Sequence, residues 1–237
     1  LARCGLVTVD VNSSSIPLKS KLDVVSLRFV DRMQSEEQDP LQLIRDTVFL
    51  SRPATLARDN YPHAEKELEI LLPYLQCSLD TRRPGVNVLV YGPPGTGKSE
   101  MARMLAGATR SELFEVASED EDGDPVRGES RLRSYKAAQS LLVSHRAVLL
   151  FDEIEDVFND GDGFFGRKST AQLRKAWINR MLEENPVPTL WLTNSIRCMD
   201  QAFLRRFDLV MELGVPPRQE RLRIIRDHAG DLLDEGT

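Results

Sequence analysis

Cysteine is scarce in this sequence, and the three present, Cys4, Cys77 and Cys198, lie far apart. Their separation excludes a disulfide framework and any closely spaced zinc-ligand pair, and it fits free thiols in a reducing cytoplasm. No apolar run reaches the length of a bilayer-spanning helix, and the opening residues lack a basic start followed by an apolar stretch. A cytoplasmic chain without a membrane partner is expected. Basic residues are outnumbered: 31 Lys and Arg against 37 Asp and Glu leave a formal net charge of −6, which argues against a generally basic nucleic-acid surface. No stretch interleaves basic and aromatic residues, so nucleic acid is not an expected partner. The first residue is Leu rather than Met, so residue 1 is not expected to be the natural start. With 237 residues the chain can bury the core of one domain and carry an appendage.

The most informative stretch runs from Val86 to Glu100, VNVLVYGPPGTGKSE. Val86, Val88, Leu89 and Val90 form an apolar run of strand length, and Met101 to Ala106 show helical periodicity. Between them lies a P-loop signature in the strand–loop–helix context that such a loop requires. Glycines there let backbone N–H groups turn around phosphate oxygens, and the helix that follows adds its N-terminal partial positive charge. Lys98 is placed to reach the β- and γ-phosphates, and the Ser99 hydroxyl to ligate Mg²⁺. Gly92, Pro93, Pro94, Gly95, Thr96, Gly97, Lys98, Ser99 and Glu100 are therefore the candidate nucleotide-binding residues.

A second signal lies about fifty residues on. Ala147-Val148-Leu149-Leu150-Phe151 is continuously apolar, as expected of a central parallel strand buried on both faces. It ends at Asp152-Glu153, where α/β sheets place their ligands. In this Walker B pattern Asp152 is the candidate Mg²⁺ ligand beside Ser99, and Glu153 the candidate general base for an attacking water.

The rest of the chain supplies the frame. Residues 5–11 and 22–30 read as two strands, either the tail of an upstream domain or an edge hairpin. Leu41, Ile44, Val48 and Phe49 suit a short amphipathic helix, and Ala64 to Leu79 a longer one that Pro73 should kink or break. Strands are expected near Leu113, Leu190 and Leu209, with helices over Arg131–Val143 and Ala171–Glu184. The acidic run Glu119 to Asp124 reads as a solvated loop. These patterns give an α/β fold, a parallel sheet with helices on both faces.

GPPGTGKS, LLFDEIED, LTNS and MDQAFLRRFD, in that order and spacing, resemble the AAA ATPases, and Gly128-Glu129-Ser130 resembles the family's GES segment. The resemblance spans about residues 60–228 and extends to uncharacterised bacterial AAA-domain proteins. It implies a P-loop NTPase sheet of five strands in the order 5-1-4-3-2, and a division into an N-terminal segment (1–59), an ATPase core (60–216) and the start of a truncated helical lid (217–237). It implies ATP and Mg²⁺ as ligands, a homo-oligomeric ring with a hexamer expected, and an unknown protein substrate to be remodelled. It further implies that Asn194 is the sensor 1 residue positioning the hydrolytic water, and that Arg205 and Arg206 fall where arginine fingers reach a neighbour's ATP. The loop holding Phe164 and Phe165 corresponds to the second pore loop of the family.

Two departures qualify the likeness. The family's arginine pair is separated by a Pro-Gly-type spacer, whereas Arg205 and Arg206 are adjacent, so either is the candidate finger. Threading members carry an aromatic and then a hydrophobic residue before the GES glycine. Val126 and Arg127 stand there instead, which does not support threading by an aromatic pore loop. The alternatives are a nucleic-acid-handling relative such as a helicase or clamp loader, and an ATP-binding scaffold without useful turnover. Acidity weighs against the first, and Glu153, Asn194 and the arginines against the second. No Asn-Lys-x-Asp sequence is present to read guanine.

Overall fold

Alternation along three strands settles which way the sheet faces. Val88, Val90, Val148, Leu150, Leu190 and Leu192 belong to one buried cluster, while their neighbours Leu89, Leu149, Phe151 and Trp191 belong to another on the opposite face. A sheet buried on both faces needs helices on both, and the chain supplies them. The computed structural model describes residues 6–9, 22–25, 29–30, 32, 41–120, 123–158, 168–197, 199–224 and 226. In chain order the elements are β1 (Val7–Val9), β2 (Leu22–Val24), β3 (Val48–Leu50), α1 (Glu65–Thr81), β4 (Asn87–Tyr91), α2 (Lys98–Ala108), β5 (Glu112–Val116), α3 (Gly128–Leu141), β6 (Ala147–Phe151), α4 (Glu155–Phe158), α5 (Lys168–Glu184), β7 (Thr189–Thr193), α6 (Gln201–Leu204) and β8 (Leu209–Glu212).

The main sheet runs β3-β5-β6-β7-β4-β8. Counted from the P-loop strand, its parallel strands follow the expected order 5-1-4-3-2, with β6 in the interior between β5 and β7. Leu68, Leu71 and Leu75 of α1 and Met101 and Leu105 of α2 cover one face. Leu132, Tyr135 and Ala138 of α3 and Ile178 and Leu182 of α5 cover the other. Phe151 and Trp191 stack with ring centroids 5.0 Å apart, and Tyr135 lies 5.0 Å from Trp191, so neighbouring strands and α3 share one aromatic cluster.

Three local expectations are corrected. The sheet has six strands rather than five, because Val48–Leu50 is an antiparallel edge strand on β5 and not part of a helix. Only Gln42–Ile44 makes a helical turn there, a 3-10 one. The open edge of β5 offers backbone partners over three residues, and that tertiary pairing outweighs the helical spacing of Leu41, Ile44 and Val48. Pro73 does not end α1, which continues through it to Thr81. Pro73 is exposed, so the carbonyl deprived of its helical partner lies on the wet side, where solvent can meet it. The second N-terminal strand stops at Val24, and Phe29 and Val30 are helical.

The N-terminal pair β1–β2 is antiparallel and lies on the main body: Leu6 and Phe29 are buried in the same cluster as Leu132 and Trp191. At the other end, residues 218–224 are helical, and the Arg223 side chain donates to the Asp59 carbonyl at 2.9 Å, tying this helix to the segment ahead of α1. Residues 160–165, expected as the second pore loop, and residues 227–237, expected as part of a lid, lie outside the described residues. No helix among the described residues is long and apolar enough to cross a membrane.

Candidate active site

The C-terminal ends of β4, β6 and β7 lie side by side, and the loops leaving them share one cleft of about 410 Å³. Gly95, Gly97, Lys98, Ser99, Glu100, Asp152, Glu153 and Asn194 all line it. Residues separated by up to about a hundred positions in the chain thus meet because parallel strands deliver their C-termini to one edge.

The P-loop leaves β4 at Gly92, whose φ is 156° and where an added Cβ would lie 2.0 Å from the Leu213 carbonyl oxygen. Only a glycine lets the loop pass that close to the end of β8. Gly97 caps α2 with φ 87°, and its carbonyl accepts a hydrogen bond from the Tyr61 hydroxyl at 3.1 Å. The Met101 N–H bonds to the Gly97 carbonyl at 2.8 Å, so the N–H groups of Lys98, Ser99 and Glu100 precede the first intrahelical bond and remain available at the helix mouth.

Lys98 Nζ donates to the carbonyls of Gly92 and Pro93 at 2.8 and 3.0 Å and to Asn194 Oδ1 at 3.0 Å. Burial lowers its pKa, and the nearby charges of Asp152 and Glu155 oppose that shift. Ser99 Oγ donates to Asp152 Oδ2 at 2.8 Å, and Asp152 Oδ1 accepts the Glu153 N–H at 2.8 Å. The Glu153 side chain is exposed to the cleft. Ser99 and Asp152 form a small, all-oxygen donor set at the loop–strand junction. That set fits Mg²⁺, which takes few protein ligands and keeps water and phosphate oxygens for the rest. Among the described residues no group of three or more His, Cys, Asp or Glu forms a cage of its own for a metal.

Other candidates sit differently. The Glu100 carboxylate accepts from the Thr55 N–H at 2.9 Å and hydroxyl at 3.0 Å and pairs with Arg52 and Arg103. Burial pushes its pKa up, but the Thr55 N–H and hydroxyl and the two arginines together outweigh it and hold the carboxyl below its ordinary value. Arg205 and Arg206 do not line the cleft. Arg206 is ion-paired with Glu183 at the end of α5. Arg205 is exposed and makes no side-chain hydrogen bond or ion pair among the described residues.

Two residues at the cleft were not singled out by the sequence. Glu155 accepts the Asn194 N–H at 2.6 Å and the Thr193 hydroxyl at 2.7 Å, fixing the turn that presents Asn194. Its place in LLFDEIED was the available signal. Arg131 is 2% exposed and donates to the backbone carbonyls of Asp152 and Glu153. An arginine in the first turn of a helix ordinarily reads as solvated, so only its burial reveals it.

Residues 88–215 match the family described as ATPases associated with various cellular activities (AAA). The chain belongs to this family. Among its relatives, a 26S proteasome regulatory subunit homolog of Methanocaldococcus jannaschii is 30% identical over 70% of this chain and 46% of its own length. The ATP-dependent zinc metalloprotease FtsH 3 of Sphaerobacter thermophilus is 31% identical over 77% of this chain and 39% of its own. The Arabidopsis thaliana protein SUPPRESSOR OF K(+) TRANSPORT GROWTH DEFECT 1 is 28% identical over 68% and 39%. This AAA domain thus spans less than half the length of each of these relatives.

Proposed function

We propose that this AAA domain binds ATP with Mg²⁺ and hydrolyses it in the cytoplasm as part of a homo-oligomeric ring, a hexamer, that remodels a protein partner. The observation that carries the reading is the meeting of Lys98 with Asn194 and of Ser99 with Asp152 in one cleft at the strand ends. The residues Gly92 to Ser99 cradle the triphosphate with backbone N–H groups, and Lys98 exchanges its carbonyl contacts for β- and γ-phosphate oxygens. Glu100 contributes its N–H at the helix mouth, its carboxylate being held by Thr55, Arg52 and Arg103. Ser99 and Asp152 would hold Mg²⁺, which when bound would offset the charge of the phosphates.

Glu153 accepts a proton from water as the water oxygen bonds to the γ-phosphorus and the bond to the ADP oxygen breaks. Asn194 orients that water. Arg205, without a side-chain partner among the described residues, supplies the external cation to a neighbour's γ-phosphate, while Arg206 anchors its turn through Glu183. The names of the proteasomal and metalloprotease relatives support a protein rather than a nucleic acid as the remodelled partner.

Glu153→Gln tests the reading. The amide keeps the size of the side chain but cannot take the proton, so turnover should fall about 10²-fold or more while ATP affinity holds. Wild-type hydrolysis by this variant would leave Glu153 as no more than a strand cap. The same variant, held in its ATP state, is the reagent with which to capture the protein partner.

A further inference from the structure

Glu153 has φ 53°, in the left-handed region that side-chain-bearing residues rarely occupy. The two other non-glycine residues with positive φ among the described residues, Arg82 and Arg110, follow the ends of α1 and α2, where a left-handed residue is the ordinary way to finish a helix. Glu153 has no such excuse, because it follows the strand β6. A strained backbone at the residue that carries the proposed base calls for something that holds it there.

Arg131 meets that need. It stands in the first turn of α3, and its guanidinium lies 4.4 Å from the centroid of the Phe151 ring. Nη1 donates to the Glu153 carbonyl at 3.1 Å, and Nη2 donates to the Asp152 carbonyl. One planar fork therefore grips two successive carbonyls, with the ring of the preceding residue beneath it. Gripping both fixes the orientation of the peptide between them, and with it the direction in which the Glu153 side chain leaves the backbone. On the opposite side of the turn, the Glu153 N–H is held by Asp152 Oδ1 at 2.8 Å.

We infer that Arg131 is a positioning residue for hydrolysis: it holds the Asp152–Glu153 turn in its left-handed form and so aims Glu153 at the attacking water. This rests on the reading of Glu153 as the base. Arg131 itself does not line the P-loop cleft. A lysine in its place brings one ammonium group that reaches one carbonyl but lacks the fork for both. A methionine fills the space without donating at all.

The test compares Arg131→Met and Arg131→Lys with the unaltered protein for kcat, KM, ATP affinity by titration and thermal unfolding. Arg131→Met should lose about tenfold to a hundredfold in kcat while ATP affinity stays within about threefold, and Arg131→Lys should recover part of the loss. A purely packing role would instead lower affinity, kcat and unfolding temperature together, and that result overturns the inference. If Arg131→Met does not fold, Arg131→Lys decides: a reduced kcat at unchanged KM supports the inference and an unaltered kcat overturns it. In a Glu153→Gln background, Arg131→Met should cost less than about twofold further, because both act through one group. A full additional loss there would show Arg131 acting independently of Glu153. Normal turnover by Glu153→Gln alone would instead remove the base assignment, an outcome separate from a failure at Arg131.

Discussion

Lys98 Nζ lies 3.0 Å from Asn194 Oδ1, so the P-loop lysine and the residue that follows β7 share a hydrogen bond across the cleft. With the carbonyls of Gly92 and Pro93 as its other acceptors, the ammonium group is held at the mouth of α2, where phosphate would arrive. A charge-assisted contact of this kind contributes on the order of 1.5–3 kcal/mol. Lys98→Ala should therefore weaken ATP binding at least about tenfold. Titration with a fluorescent ATP analogue measures it, and unchanged affinity would sink the phosphate-binding role.

Gly92→Ala should damage the fold as well as the site. Its Cβ would lie 2.0 Å from a backbone oxygen of Leu213, and neither backbone can move without disturbing the pairing of β4 with β8. A loss of about 2 kcal/mol or more is expected, within the range of overpacking and strained-backbone substitutions. Thermal or urea unfolding gives the value, and a stability equal to that of the unaltered protein would mean the loop relaxes freely.

Much of this arrangement was legible in the sequence, for a physical reason. Continuous apolar runs such as Val148–Phe151 belong to strands buried on both faces, and a glycine-rich loop between strand and helix admits few structures. What escaped was set by contacts distant in sequence. Val48–Leu50 becomes a strand because β5 has an open edge, which the three residues do not announce. Arg131 reads as a surface charge until α3 is laid over β6. The adjacent arginines differ only because Glu183, on another element, is within reach of Arg206. Pro73 is tolerated because its face of α1 is wet, a property of packing rather than of proline.

His63 should make stability pH-dependent. Neither ring nitrogen has a hydrogen-bond partner among the described residues, and burial lowers the pKa, with Glu220 and Glu67 pulling the other way. The folded protein thus takes up the proton less readily than the unfolded chain, whose imidazole titrates near 6.5. The contribution favouring the fold is complete above that pH and is lost as pH falls through 6.5 toward the lowered folded value. His63→Gln should flatten the fall in unfolding temperature over this window. An identical pH slope in the two proteins would remove His63 from the account.

The last prediction concerns Arg205. Arg206 is occupied by Glu183, whereas Arg205 is exposed, unpaired among the described residues and absent from the lining of its own cleft. A cation so placed can serve hydrolysis only from a neighbouring subunit, so specific activity should rise with protein concentration as subunits assemble. Arg205→Ala should lower kcat about 10³-fold with ATP affinity retained, while Arg206→Ala should act more mildly, through the loss of its anchor. Mixing two inactive proteins decides the matter. A Lys98→Ala subunit keeps Arg205 and can lend it to the intact P-loop of an Arg205→Ala neighbour, so activity should return in the mixture. No recovery in assemblies shown to contain both variants would place Arg205 in a structural role on its own subunit.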